Sequence, residues 1–214
     1  MGVHPLYDAI VRGQVSAAIA ATEQALLEKV EPKEILDRFI FSALHDIGQK
    51  FERNECFVPE LMISSRAAKA ALERLQPLLI SQGVKPRGRV VIGTVKGDLH
   101  DIGKNLVASL LSGSGFEVID LGVNVTPEAF LNAAQSREAD IVALSALLTT
   151  TMPAMKSTVD ALQKAQLRDR VKVIVGGAPV TKAYANEIGA DGYGRDAHSA
   201  AALARDLVSG TAVA

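Results

Sequence analysis

Residues 89–104 read RVVIGTVKGDLHDIGK, in which an apolar run is followed directly by a polar loop. The run at 89–95 is typical of a buried parallel strand, and ligands of open α/β sheets bind on the loops that follow the carboxyl ends of such strands. His100 lies on this loop, two residues after Asp98 and three before Gly103. This placement predicts that His100 is a metal ligand.

The chain before this stretch has a helical pattern. Residues 5–82 repeat apolar residues three and four positions apart, which predicts an α-helical bundle of four or five helices. Proline, glycine or polar residues are expected to break the helices at 12–13, 30–32, 54–59 and 76–77. Residues 81–88, SQGVKPRG, have the composition of a linker. We therefore predict a helical cap domain at 1–84 and a second domain at 88–214.

The second domain alternates apolar runs with helical stretches. Strands are predicted at 89–95, 116–121, 141–145, 171–175 and 192–193. Helices are predicted at 103–112, 127–136, 153–165, 182–188 and 197–208. Five such units predict an α/β fold with a Rossmann-like, doubly wound, five-stranded parallel sheet in the order 2-1-3-4-5. In this order the loops after strands one, three and four converge on one crevice.

Composition and charge exclude several classes of protein. Apolar residues make up 48% of the 214 residues, which is ample for closed cores. A formal net charge of −1 and a pI near 6.4 argue against a nucleic-acid partner. The sequence has no run of membrane-spanning length, and its start lacks the features of a signal peptide. The single cysteine, Cys56, rules out an intrachain disulfide, so we expect a cytoplasmic protein with no membrane partner.

The three converging loops carry polar residues and glycines. They are Asp98, His100 and Gly103, then Ser145, Leu147, Thr149 and Thr151, then Gly176 and Gly177. A metal-bound imidazole usually donates its other ring N–H to a carboxylate, and Asp98 is close enough in sequence to accept it. The glycines remove side chains that would block a ligand, and the hydroxyls offer donors and acceptors. Together the loops suit one large, flat, polar ligand.

The order Asp-x-His-x-x-Gly, Ser-x-Leu, Gly-Gly, with these intervals, resembles the cobalamin-binding signature of corrinoid methyltransferase proteins. The segment GDLHDIGKN at 97–105 is similar to theirs almost letter for letter. The segment FVPELM at 57–62 resembles the helical cap of methionine synthase and of the small corrinoid carrier subunits. The resemblance covers nearly the whole chain and implies a helical cap over a cobalamin-binding Rossmann-like domain.

The resemblance implies a role for each motif residue. In that family the dimethylbenzimidazole base leaves cobalt, its nucleotide tail is buried in the domain, and a histidine, here His100, becomes the axial ligand. Asp98 would hydrogen-bond this histidine, Ser145 would contact the tail, and Thr151, where methionine synthase has serine, would complete a proton relay. The remaining implied cofactor contacts are Leu99, Asp101, Ile102, Gly103, Leu147, Thr149, Gly176 and Gly177.

The function that the resemblance implies is methyl carriage rather than independent catalysis. Co(I) would accept a methyl group from a donor-specific methyltransferase. Methyl-Co(III) would then pass it to a second methyltransferase, with tetrahydrofolate as one candidate acceptor. A reductive activator of Co(II) is a further implied partner. The cap must move to admit these partners, with its hinge near 83–88. Methanol, methylamines, methoxylated aromatics and methylthiols all stay open as donors.

Several other protein classes fit the motifs less well. HD-domain phosphohydrolases place His-Asp-Ile-Gly on a helix, whereas here a strand precedes it. A Walker loop is excluded by its spacing and by Asn105 after Lys104. A receiver domain needs an aspartate where this chain has Ser145, and a flavin module shares only the fold. Zinc is disfavoured because one cysteine and four scattered histidines form no closed set. A regulatory cobalamin sensor is the alternative from another class, but its basic recognition helix is not evident.

Some features have simpler structural explanations. We expect residues 57–62 to serve in a helix start and in core packing. His4, His45 and His198 lack ligand-like spacing and are expected to be structural or surface residues. The letters LHDIG occur at both 44–48 and 99–103. We interpret this repeat as coincidence, because the first copy lies in a helical pattern and the second follows a strand.

Overall fold

The chain divides into two compact units in a computed structural model, which describes residues 4–210 apart from the side chain of Glu52. One unit contains the residues up to Lys85 together with Ser112–Gly115, and the other contains Pro86–Leu111 together with the residues from Phe116 onward. The predicted domain limits at residues 1 and 214 lie outside the described residues.

The first unit is helical. Its elements are α1 (Pro5–Val11), α2 (Val15–Leu27), α3 (Pro32–Ile35), a π-helical stretch (Leu36–Phe41), α4 (Ser42–Glu52) and α5 (Val58–Ser81). The N-terminus of α1 is capped by His4, whose Nδ1 accepts the N–H of Leu6 at 3.2 Å. Large apolar side chains from successive helices are fully buried, among them Leu6, Ile10, Ile35, Ile40, Leu61 and Leu75. The predicted helical fold of this part of the chain is confirmed.

Of two expectations about α5, one is wrong and the other is confirmed. The helix does not break at 76–77 but continues through Pro77, because Leu75 and Leu79 on either side are both buried and hold the helix to its neighbours. Residues 57–62 do form a helix start, since Glu60 Oε2 accepts the N–H of Phe57 at 2.7 Å. Leu61 of this segment is fully buried in the core, whereas the Phe57 side chain is 68% exposed.

The second unit alternates strands and helices. In chain order they are β1 (Arg89–Thr94), α6 (Ile102–Gly113), β2 (Glu117–Asp120), α7 (Pro127–Ser136), β3 (Ile141–Ser145), α8 (Pro153–Lys164), β4 (Lys172–Gly176), α9 (Lys182–Ile188), β5 (Gly192–Gly194) and α10 (Ala197–Ser209). All strands are parallel, in the order β2-β1-β3-β4-β5. The predicted Rossmann-like sheet and its strand order are confirmed.

The core of this unit is formed by apolar side chains of the strands and of the helices that cover them. Valines from β1, β3 and β4 are fully buried and pack with Phe130, Met155 and Leu162 from the covering helices. A Cβ atom at Gly93 would lie 2.8 Å from the Phe130 ring, so the aromatic side chain fits only over a strand without one. No helix within residues 4–210 has the length and apolar character that a membrane span requires.

Candidate functional site

The predicted loops begin side by side at one edge of the sheet. In the strand register Thr94 lies opposite Ser145, and Ser145 lies opposite Gly176. The pairing continues one residue further, because the Val95 N–H donates to the Ser145 carbonyl at 3.0 Å. The loops after β1, β3 and β4 therefore start from three adjacent strand ends.

Asp98 is the buried centre of this edge and is fully shielded from solvent. Its Oδ2 accepts the backbone N–H groups of Leu147 at 2.7 Å and Leu148 at 3.2 Å. The hydroxyl of Thr151, itself buried, lies 2.8 Å from the same oxygen. The loop after β3 thus wraps one carboxylate oxygen with hydrogen-bond donors, which a buried charge requires.

The other carboxylate oxygen holds His100. Asp98 Oδ1 accepts the backbone N–H of His100 at 3.1 Å and lies 2.7 Å from its Nδ1. Burial alone would raise the pKa of Asp98. The hydrogen bonds from Leu147, from His100 and from Thr151 outweigh burial and hold this pKa well below its usual value.

An ionised Asp98 sets the tautomer of the imidazole. Because the carboxylate can only accept, Nδ1 of His100 must carry the proton, and Nε2 then presents a lone pair. The His100 side chain is 51% exposed, so this lone pair is accessible. The arrangement suits a metal ligand whose basicity is raised by a carboxylate behind it.

Apolar side chains stand exposed on the two loops that hold this pair and at the first residue of α6. Leu99 is 70% and Ile102 is 76% exposed, and Leu147 and Leu148 are each 43% exposed. Leucine and isoleucine at this density on one edge indicate a surface that a partly apolar ligand covers. Asp101 is exposed beside them, and its Oδ2 accepts a hydrogen bond from Asn105 at 3.1 Å.

The three predicted glycines differ in what a Cβ atom would contact at each position. A Cβ atom at Gly177, which has φ +124°, would lie 1.9 Å from the carbonyl oxygen of Ala146. A Cβ atom at Gly176 would lie 2.9 Å from the carbonyl oxygen of Gly194. These two glycines are required by the close approach of neighbouring backbone. At Gly103 a Cβ atom would have no neighbour within 4 Å, so among the described residues nothing demands glycine there.

The two other predicted hydroxyl residues lie outside the Asp98 network. Ser145 is half-buried at the end of β3, and its hydroxyl has no hydrogen-bond partner among residues 4–210. Thr149 is exposed, and within the same range its side chain also makes no hydrogen bond. Of the three hydroxyls, that of Thr151 therefore bonds Asp98, whereas that of Ser145 is open to a ligand.

Residues that the sequence did not single out also brace the site. The hydroxyl of Thr94 donates to the carbonyl of His100 at 2.8 Å. Asn124, on the loop after β2, hydrogen-bonds both Gly97 and Asp98. Lys104 of α6 is buried and forms an ion pair with Asp120 at the end of β2. Only Lys104 had a detectable signal, because a lysine inside an otherwise apolar helical pattern needs a partner.

The remaining histidines are not on the three loops of the site. His4 caps α1 and stacks on Phe39 with ring centroids 3.8 Å apart. His45 is exposed on α4, where Gln49 is its hydrogen-bond partner at 3.0 Å. His198 is buried in α10. The LHDIG letters at 44–48 thus lie within a helix, whereas those at 99–103 span the end of the loop after β1 and the first two residues of α6.

Both parts of the chain match protein families described as a B12 binding domain. One family covers residues 88–202, which is more than half of the chain, and a second covers residues 3–76. The first match contains all three loops of the site.

Relatives and solved structures agree with this match. Dimethylamine corrinoid protein 1 of Methanosarcina acetivorans is 38% identical over 95% of this chain and 96% of its own. The dimethylamine corrinoid protein of Methanosarcina barkeri is 40% identical over the same shares. A cobalamin-binding protein from Desulfitobacterium hafniense has a TM-score of 0.82 at 29% identity, covering 97% of this chain and 98% of that one. The methanol:cobalamin methyltransferase complex MtaBC of Methanosarcina barkeri has a TM-score of 0.83 at 28% identity, covering 97% and 79%.

The sequence signature, the buried Asp98 beneath an accessible His100 and these similarities agree. The chain belongs to the family of B12-binding corrinoid proteins.

Proposed function

We propose that this chain is the methyl-carrying corrinoid subunit of a multicomponent methyltransferase system, with His100 as the axial ligand of cobalt. The observation that carries the proposal is the Asp98–His100 pair, in which a buried carboxylate fixes Nδ1–H and leaves Nε2 accessible. When bound, cobalamin supplies the cobalt that carries the methyl group. The protein supplies the lower ligand and the groups that hold it.

The other residues of the site fit the proposed cofactor. The Ser145 hydroxyl, which has no hydrogen-bond partner among residues 4–210, is available to the polar nucleotide tail. The exposed side chains of Leu99, Ile102 and Leu147 offer apolar contact to a corrin ring. Thr151 and Asp98 form an unbroken hydrogen-bonded path to Nδ1 of His100, so they can hold or release a proton as the strength of the axial bond changes.

The relatives favour a methylamine as the methyl donor. Several of them are named dimethylamine corrinoid proteins, and one is named a trimethylamine corrinoid protein at 40% identity. We extend this substrate class to the present chain. Its proposed partners are a donor-specific methyltransferase, an acceptor methyltransferase that uses tetrahydrofolate or another acceptor, and a reductive activator of Co(II). We propose in addition that the helical unit serves as a cap and that the protein is cytoplasmic.

Restoration of methyl transfer in a depleted extract tests this proposal. The chain is removed with an antibody from an extract of its source organism and is then returned loaded with cobalamin. We expect the wild-type chain to restore conversion of dimethylamine to methylamine, and loaded His100→Ala chain to fail. Restoration with methanol alone would reject the amine donor but keep the carrier role. Failure with every methylamine, methanol, methoxylated aromatic and methylthiol would reject the carrier role.

Gly103→Ala tests whether the open space at the start of α6 serves the ligand. Alanine is favoured over glycine in helices, and the new methyl group meets no neighbour, so we expect unfolding free energy to rise by about 0.5–1 kcal/mol. We expect affinity for hydroxocobalamin to fall by about tenfold, because the methyl group occupies ligand space. Denaturant unfolding and a visible-absorbance titration measure the two effects. Affinity unchanged from wild type would contradict the assignment.

A further inference from the structure

The loop between β2 and α7 supports the loop that carries His100. The Thr94 N–H donates to the Gly122 carbonyl at 2.9 Å, and the Val125 N–H donates to the Thr94 carbonyl at 2.9 Å. Val95 and Val125 continue this contact as an isolated parallel bridge. The backbone of the His100 loop is thus attached to a second loop on the side away from β3.

Asn124 makes the contact that lies nearest to the site. Its backbone N–H donates to the carbonyl of Asp98 at 2.9 Å. Its side-chain Oδ1 accepts the N–H of Gly97 at 2.8 Å. One residue therefore holds the Gly97–Asp98 segment with both its main chain and its side chain.

The backbone conformation explains why asparagine suits this position. Asn124 has φ +54°, in the left-handed region that asparagine, aspartate and glycine adopt more readily than other residues. Of these three, glycine lacks a side-chain acceptor for Gly97. Asparagine and aspartate alone combine the required conformation with the required oxygen.

We propose that Asn124 is a positioning residue for the axial ligand and acts on His100 through Asp98; this proposal rests on the cobalamin function proposed above. The loop after β3 holds the carboxylate of Asp98, whereas Asn124 holds its backbone. Both the N–H and the ring of His100 are hydrogen-bonded to that carboxylate, so the position of the Asp98 backbone sets the position of Nε2. Without the contact between Asn124 Oδ1 and Gly97, the His100 ring still hydrogen-bonds Asp98, but the position of its Nε2 is less well fixed.

The first arm of the test uses the chain without corrinoid. Asn124→Gly keeps the left-handed conformation and removes the acceptor, while Asn124→Asp keeps both. We expect the Gly97 amide to exchange with solvent about fivefold faster in Asn124→Gly, since an ordinary hydrogen bond is lost, and at the wild-type rate in Asn124→Asp. Amide exchange by NMR reports this contact whether or not the chain binds cobalamin.

The second arm uses cobinamide, a corrinoid that lacks the nucleotide tail and its base, so that the lower nitrogen must come from the protein. We expect its Kd, from visible-absorbance titration, to rise about fivefold in Asn124→Gly and to stay at the wild-type value in Asn124→Asp. Equal affinity in Asn124→Gly and wild type, or equal weakening in both variants, would overturn the positioning role. If His100→Ala binds cobinamide as well as wild type does, the proposed axial ligand itself fails.

Discussion

In the His100→Ala chain, reconstituted with hydroxocobalamin and desalted, affinity for the corrinoid is expected to fall at least about 100-fold. Removal of a residue that merely orients a ligand costs 10- to 100-fold in metal affinity, and here the ligand itself is lost. Any corrinoid that remains should have a changed visible spectrum, because the lower nitrogen on cobalt differs. A binding titration and the absorption spectrum of the desalted protein measure both effects.

The chain contains a matched control for this substitution. His45 stands in the same five letters as His100 but lies exposed on α4, where Gln49 is its hydrogen-bond partner. His45→Ala is expected to bind hydroxocobalamin with wild-type affinity and spectrum. Equal behaviour of His100→Ala and His45→Ala would remove His100 from the site.

Asp98→Asn is expected to damage both folding and binding. The carboxylate accepts hydrogen bonds on both oxygens in a fully buried position, whereas an amide turns a donor toward one of the two groups of donors. Loss of these charge-assisted bonds should lower the unfolding free energy by about 2–4 kcal/mol at neutral pH. Affinity for cobalamin should fall about 10- to 100-fold, because Nδ1 of His100 loses its acceptor. Denaturant unfolding and the binding titration test these values.

The pH dependence and a neighbouring aspartate give controls for Asp98→Asn. The pKa of Asp98 is lower in the folded chain than in the unfolded chain, where it is about 3.9. Its stabilising contribution is therefore present above about pH 4 and is lost as the pH falls toward the folded value, so the difference from wild type should shrink in acid. Asp101 is exposed, so the free energy of unfolding of Asp101→Asn should stay within about 0.5 kcal/mol of the wild-type value. If Asp98→Asn and Asp101→Asn lowered the free energy of unfolding equally, the stabilising role of the Asp98 carboxylate would be contradicted.

The sheet was predictable because its signals are local and mutually consistent. Buried apolar runs alternating with helical segments leave few topologies for a parallel sheet, and β3 was predicted with its observed limits at Ile141–Ser145. The continuation of α5 through Pro77 was not predictable in this way. Proline opposes a helix locally, but tertiary burial of Leu75 and Leu79 decided the outcome.

The centre of the site was predictable, whereas its supports were not. Asp98 and His100 are two residues apart, so their contact follows from a short motif. Asn124 contacts Gly97 from 27 residues away, on a loop without any sequence pattern, and only the fold brings them together. From the sequence alone, Gly177 is explained by access for a ligand. The structure gives a stronger reason for glycine there, because a Cβ atom would collide with the carbonyl oxygen of Ala146.

The most direct test of His100 as the axial ligand is an electron paramagnetic resonance spectrum of the chain loaded with cob(II)alamin. The protein is prepared once with ordinary histidine and once with ¹⁵N-histidine, while the cofactor keeps ¹⁴N in its own base. Coordination by His100 predicts that the triplet splitting of the cobalt lines becomes a doublet in the labelled protein. A triplet in both preparations would assign the lower nitrogen to the cofactor's base and would contradict the central claim.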